Sequence, residues 1–541
     1  LIDTYQYAEK LARNEHVPVL IHVEELTQPQ GHSTSGSHQR YKSDARLTWE
    51  KENDCNLKMR DWILSNGIAN EEELVAIEDN NKKIARQAKV DAWKAYQDPI
   101  LEHRTDLVKL IEKATQATNN DTNFQMIRSE LINVAEPTYK DLLHAARKGL
   151  RILTQYEHPV KNEIRTWKDS LTEQLNPKFS SHLYSQSDDR LENIESVSAQ
   201  YAEKEEWVDG RIIIRDNFDA LLESNDKLLL FGEDVGKIGD VNQGLEGMQA
   251  KYGATRVADT GIREATIMGQ GIGMALRGLR PIAEIQYLDY ILYCLPTLSD
   301  DLASYHYRTV GKQAVPLIIR TRGHRLEGIW HSGSPMGGIV NLLRGINIAV
   351  PRNMTQAAGM YNTLLEANEP AIVVESLNGY RLKERKPTNL GQFKVPLGKI
   401  EILKEGTDIT LVSYGSTLRM VEAVAKELLY FDIDAEVIDI QTLLPFDLEQ
   451  GIQKSIAKTN RVLIIDEDVP GGAGAYILQQ LIDVQDVFPM LDSKPQTLSA
   501  KPHRPAYGSD GDYFSKPSED DIFEKVYAIM HESNPEAFPK I

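Results

Sequence analysis

From Lys227 to Asp468, short runs rich in Val, Ile and Leu alternate with stretches of helical period. KLLLFGEDV, LRPIAEIQY, VPLIIRTR, INIAV and PAIVVES form a first series, with helical stretches such as TQAAGMYNTLLEAN between them. ITLVSYGS, AEVIDIQTL and RVLIIDED form a second, separated by TLRMVEAVAKELLY and FDLEQGIQKSIAKT. Strands separated by helices pair through crossovers rather than hairpins, which predicts mostly parallel sheets covered on both faces. The Lys- and Pro-containing stretch GYRLKERKPTNLGQFKVPLG divides the series. Two α/β domains are expected, over residues 206–393 and 394–541.

The first half of the chain reads differently. LIDTYQYAEKLARNE has the period of an amphipathic helix, VPVLIHVEEL over residues 17–26 reads as a strand, and TQPQGHSTSGSHQRYKS reads as a polar loop. From Asp44 the pattern is that of long helices, with Gly67 closing the first and Pro99 the second. Helical character continues to about residue 186, and the serine-rich stretch after it reads as a surface linker. A helical block followed by a linker reads as a connector or interface rather than a catalytic unit.

Composition narrows the classes of function. The 541 residues carry 61 Lys and Arg against 80 Asp and Glu, a formal charge of −19. No basic block of the kind nucleic-acid binding needs accompanies that balance. The two cysteines have no metal-like spacing, which fits a reducing compartment and a cytoplasmic location. No apolar run reaches the roughly 18 residues of a membrane span. The chain lacks an initiator Met and opens on a helix, so the reading expects its start to lie inside a domain.

Local chemistry supplies a shortlist. In DTGIREATIMGQGIGMALRGLRPIAEIQYLDY, Glu264 stands where a glycine-punctuated helix begins, and an acid there is favourable with the helix dipole whatever its role. His331 lies among small residues in RGHRLEGIWHSGSPMGG, after a strand. GGAG at residues 471–474 follows RVLIIDED without the G-x-G-x-x-G spacing, so it reads as a close-packed turn. GQGIG at residues 269–273 lies within a helix, where glycine permits close approach of another helix.

Taken in order, GHSTS, FGEDVG, DTGIREATIMGQGIG, AEIQYLDY, WHSGSP and the series from ITLVSYGS to GGAGAYI resemble one family. The chain is similar to the thiamine-diphosphate-dependent E1 component of 2-oxo acid dehydrogenase complexes, with the end of an α-type subunit fused to a β-type subunit. The resemblance implies a transketolase-like pyrimidine-binding α/β domain over residues 206–393 and a transketolase C-terminal-like α/β domain over 394–541. Residues 1–95 would then be the end of an α-type diphosphate-binding domain, and the block over 96–205 matches nothing in the family.

The same resemblance assigns roles. Glu264 matches the glutamate that hydrogen-bonds the aminopyrimidine ring of thiamine diphosphate, and Tyr290 matches the aromatic residue stacked on that ring. Glu233 matches an acid behind the glutamate, while His32 and His331 match the histidines flanking the reacting carbon. The implied reaction is decarboxylation of a 2-oxo acid, then reductive acylation of a lipoyl domain on a dihydrolipoyl acyltransferase that also carries a subunit-binding domain. HSTSGSH and IQYLDY incline the substrate towards a branched-chain 2-oxo acid over pyruvate. Ser33 would block the site if phosphorylated, through charge placed where an anionic substrate arrives. A homodimer is implied, and neither nucleic acid nor a membrane.

Three departures from the family pattern matter. No GDG motif for magnesium and diphosphate occurs, so those ligands are expected upstream of Leu1, and no metal ligand is assigned here. Gln28 stands where many members place an arginine ahead of the loop histidine. Glu369 replaces the asparagine of the potassium site, which predicts no potassium. The competing reading is a non-catalytic dimerisation and assembly module of such a complex.

Overall fold

The computed structural model describes residues 1–28, 30, 36–323 and 335–541. Two compact units divide the chain, Leu1–Leu175 and Asn176–Ile541.

The first unit has no strand among its described residues. Its helices are α1 (Ile2–Asn14), α2 (Asp44–Glu52), α3 (Cys55–Ser65), α4 (Glu71–Ala117), α5 (Thr122–Asn133), α6 (Tyr139–Ile152) and α7 (Val160–Ser180), the last running past the division. Three sequence expectations change here. The apolar run over 17–26 forms no strand, and Leu20 and Leu26 stay 94% and 66% exposed. A strand persists only when neighbours satisfy its backbone, and this unit offers none among the described residues. The helix read from Asp44 to Gly67 is two helices, because the Asp54 side chain accepts the N–H groups of Asn56 and Leu57 and caps a new one. Pro99 does not end its helix. It removes one N–H from a 47-residue ladder, while Gln97, Ile100, Leu107 and Ile111 bury their side chains around it. Burial of several such residues, at about 1.5–3 kcal/mol each, outweighs a proline penalty of about 3 kcal/mol.

The C-terminal half of α4 packs with α5, α6 and α7 around Leu107, Ile111, Phe124, Leu142, Ala146 and Ile164. The block read as a connector is thus a bundle with its own core, and the division at 95/96 falls inside α4.

The second unit carries the strands expected from the alternation. They are β1 (Trp207–Asp209), β2 (Leu228–Glu233), β3 (Val257–Thr260), β4 (Arg280–Tyr287), β5 (Ile318–Gly323), β6 (Asn347–Ala349) and β7 (Ala371–Ser376). Then follow β8 (Lys383–Arg385), β9 (Glu401–Lys404), β10 (Ile409–Ser413), β11 (Ala435–Asp439), β12 (Thr442–Leu444), β13 (Val462–Ile465) and β14 (Gln496–Leu498). One sheet has the order β12-β6-β7-β5-β4-β2-β3, parallel except at β12. The other has the order β14-β13-β10-β11-β9, parallel except at β9. β12 comes from the second α/β domain and closes an edge of the first domain's sheet.

Alternating residues divide between the two faces of the larger sheet, as a two-residue period requires. Phe231, Ala283, Ile285 and Ile319 meet Ile267, Met268 and Ile272 of the Glu264–Leu276 helix. Leu230, Ile282, Ile318 and Val373 meet Phe218 and Tyr361 on the other face. The segment read as a linker is strapped to this unit, with Val197 and Lys394 exchanging backbone hydrogen bonds at 3.1 and 2.8 Å. Glu369 serves the same strap, its carboxylate accepting the N–H groups of Ser185 at 3.0 Å and Leu191 at 2.7 Å.

Candidate active site

Glu264 owes its position to the direction of the chain. Parallel strands deliver their carboxyl ends to one side of a sheet, where open α/β folds bind ligands. β3 ends at Thr260, three residues turn, and Glu264 becomes the first residue of a helix, half-buried at its positive end. β2 lies beside β3 with Glu233 opposite Thr260, and β4 flanks β2 on the other side with Glu284 opposite Gly232. Tyr290 sits in the turn Leu288–Tyr293 that follows β4. Three adjacent strand ends thus bring together Glu264, Glu233 and Tyr290.

Glu233 and Tyr290 both respond to the acids around them. Burial, then Asp234, Glu264 and Glu284, raise the pKa of Glu233 above that of an ordinary glutamate. Burial, then Asp289, Tyr287 and Glu233, raise that of Tyr290. Beneath them the buried Cys294 thiol is pushed up to about 12 by desolvation and by Glu264, and it donates to the Ile291 carbonyl at 3.3 Å. Tyr290 stands between Tyr287 and Tyr293, with ring centroids 5.9 and 6.0 Å away, so one side of the site is aromatic. The Thr260 hydroxyl is buried without a hydrogen-bond partner in the same region.

His331 follows β5, the next strand along, but residues 324–334 lie outside the described set. So do His32 and Ser33.

A charged network on the other face of the sheet was not foreseen. Arg320 and Arg322 of β5 are buried, and Glu284 joins both, at 2.5 and 2.8 Å. Asp240 pairs with the same two guanidiniums at 2.8 and 3.1 Å, and Glu375 with Arg320 at 3.0 Å. The Tyr380 hydroxyl accepts from both arginines and donates to Glu375. Three carboxyl groups face two guanidiniums, and Glu284 is the one that burial pushes up, against the lowering effect of Arg322 and Arg320. For Asp240 the same two arginines outweigh burial and hold the carboxyl down. Glu284 therefore links this network to Glu233. The signal was present in PIAEIQ, LIIRTR and IVVES, where a charge interrupts an apolar strand and must find a partner.

The glycine motifs prove structural. Gly474 N–H donates to Asp466 at 2.7 Å and Ala473 N–H to Asp468 at 3.4 Å, so the GGAG turn closes around the protein's own carboxylates. Gly271 permits close approach of Leu317, whose side chain would lie 2.8 Å from an added Cβ, and not of a second helix.

Residues 208–383 match the family described as the transketolase pyrimidine binding domain, and residues 398–513 match the transketolase C-terminal domain. The chain is 31% identical over 277 residues to the pyruvate dehydrogenase E1 component subunit beta of Acholeplasma laidlawii, covering 51% of this chain and 84% of that protein. It is 34% identical over 289 residues to the mitochondrial 2-oxoisovalerate dehydrogenase subunit beta of Chaetomium thermophilum, covering 52% and 60%. The chain belongs to the 2-oxo acid dehydrogenase E1 β family.

A further relative is the acetoin:2,6-dichlorophenolindophenol oxidoreductase subunit beta of Bacillus subtilis, 32% identical over 297 residues, covering 52% of this chain and 85% of that protein. Relatives of three substrate names thus stand at similar identity, and identity does not choose among them. The strand ends that carry Glu233, Glu264 and Tyr290 all fall inside the match to the transketolase pyrimidine binding domain.

Proposed function

We propose that this chain supplies the β-type half-site of a thiamine-diphosphate-dependent 2-oxo acid dehydrogenase. It decarboxylates a 2-oxo acid and passes the acyl group to a lipoyl domain. The observation that carries the reading is Glu264 at a helix start, with Glu233 and Tyr290 at neighbouring strand ends. These residues fit an aminopyrimidine ring in their chemistry, since an unpartnered buried hydroxyl, a half-buried carboxyl and an aromatic residue stand at neighbouring strand ends. When bound, thiamine diphosphate, anchored through magnesium, supplies the nucleophilic carbon and the electron sink for cleavage of the carboxylate.

Glu264 would hold a proton at the ring nitrogen, in a place where the positive end of its helix steadies the carboxylate once that proton leaves. Glu233 would stay protonated longer than an exposed glutamate, so that Glu264 is not faced by a second full negative charge. Tyr290 would stack on the ring. By the family resemblance, His32 and His331 would hydrogen-bond the substrate's carboxylate or carbonyl, and phosphate on Ser33 would repel it. A branched-chain 2-oxo acid is the favoured substrate. The lipoyl and subunit-binding domains of a dihydrolipoyl acyltransferase are the partners, a homodimer the assembly and the cytoplasm the location. Among the described residues no helix is long and apolar enough to cross a membrane.

Glu264→Gln tests the assignment. With thiamine diphosphate, magnesium and the full enzyme, release of carbon dioxide from 3-methyl-2-oxobutanoate is expected to fall by at least about 100-fold, the scale of a lost acid–base group. An undiminished rate would overturn it, and a parallel assay with pyruvate decides the substrate.

A further inference from the structure

α6 has two faces of opposite character. Leu142, Ala145, Ala146 and Gly149 face the bundle core. Lys140, His144, Arg147 and Arg151 occupy the exposed side at i, i+4, i+7 and i+11, one stripe along the helix. In a chain of net charge −19, four basic residues so aligned are a local reversal of sign. Among the described residues Lys140, Arg147 and Arg151 have no ion pair, whereas the neighbouring Lys148 meets Glu130 at 3.0 Å. Asp141 lies beside Lys140 and His144, but its carboxylate is engaged by the Thr138 N–H at 2.8 Å and hydroxyl at 2.7 Å.

Beside the stripe runs a groove between α5 and α6. A hollow of about 330 Å³ is lined by Met126, Ile127 and Ile152 together with Lys148, Arg151 and Glu130, the last being the carboxylate that Lys148 meets. A second, of about 140 Å³, shares Ile127, Glu130 and Lys148 and reaches Leu131, Asp141 and His144. Met126 on α5, which lines the larger hollow, is 59% exposed. From Lys140 to Arg151 the stripe is ~16 Å long at the rise of an α-helix, the length of about three turns.

We propose that the α5–α6 groove docks an acidic amphipathic helix of a partner protein. Apolar side chains of that helix enter the hollows over Met126, Ile127 and Ile152, and its Asp or Glu residues meet Lys140, Arg147 and Arg151. The mode is a helix laid in a groove, with complementary charge fixing its direction. An apolar floor favours this occupant over a nucleic acid, which would need a basic floor.

The experiment titrates the full chain against a fluorescein-labelled amphipathic peptide with leucines on one helical face and glutamates on the other, followed by anisotropy. Saturable binding is expected, weakened at least about tenfold by paired Arg147→Glu and Arg151→Glu substitutions and separately by Met126→Glu. All three positions are exposed, and circular dichroism checks that the helices persist. A peptide with glutamine in place of glutamate should lose most of its affinity. Absence of saturable binding, or binding indifferent to both sets of substitutions, overturns the proposal. So does Arg147- and Arg151-dependent binding of duplex RNA or of phosphatidylserine vesicles when the peptide fails to bind.

Discussion

Arg320 shows what a single buried residue does in this fold. Its guanidinium touches Asp240, Glu284, Glu375 and Tyr380 with essentially no solvent access. Replacing one partner of such a cluster leaves the others charged in a poor solvent for charge. Arg320→Met is expected to cost about 3–5 kcal/mol of stability, measured by urea unfolding. A loss below about 1 kcal/mol, the scale of an exposed pair, would show that the cluster is hydrated instead. At the same scale, Glu264 could be shortlisted from sequence as an acid at a helix start. Its closeness to Glu233 and Cys294 could not, because those residues come from other segments. Glu284 and Arg322 were visible as charges in apolar strands, but which charge paired with which depended on strand order.

At the scale of elements, the GGAG turn is a clear case of a motif whose geometry decides its meaning. A Cβ on Gly472 would stand 2.2 Å from Oδ2 of Asp468. That carboxylate cannot swing aside freely, since Val469 N–H donates to its other oxygen at 2.9 Å. Gly472→Ala should therefore lower stability by about 1–3 kcal/mol, the range of an overpacked site, read from the thermal midpoint against wild type. An unchanged midpoint would mean that the turn opens without loss. Other elements turned on the same contest between local and distant terms. Pro99 is a helix breaker by itself, yet the bundle core behind Ile100 and Leu107 carries α4 through it. VPVLIHVEEL has the composition of a strand but no neighbour to bond with among the described residues of its unit.

At the scale of the whole molecule there are two units with separate cores. The first unit's core is the α4–α7 bundle, and of the three clusters among the described residues of the second unit one joins the faces of both sheets through residues such as Ile438, Ile464 and Ile477. Separate cores predict separate cooperative transitions. Calorimetry should resolve two, with Leu142→Ala in the bundle lowering one midpoint and leaving the other in place, whereas a single transition shifted as a whole would contradict this. The alternation of strand and helix in residues 227–468 was enough to determine parallel α/β domains, because side-chain period records which face is buried. Motif order was enough to point to the E1 β family. Only the tertiary structure decided the order β12-β6-β7-β5-β4-β2-β3, the loan of β12 from one domain to the other, and the meeting of Glu233, Glu264 and Tyr290. The physical reason is that periodicity is a property of neighbours in sequence. A site made at three strand ends depends on pairing between residues far apart in the chain.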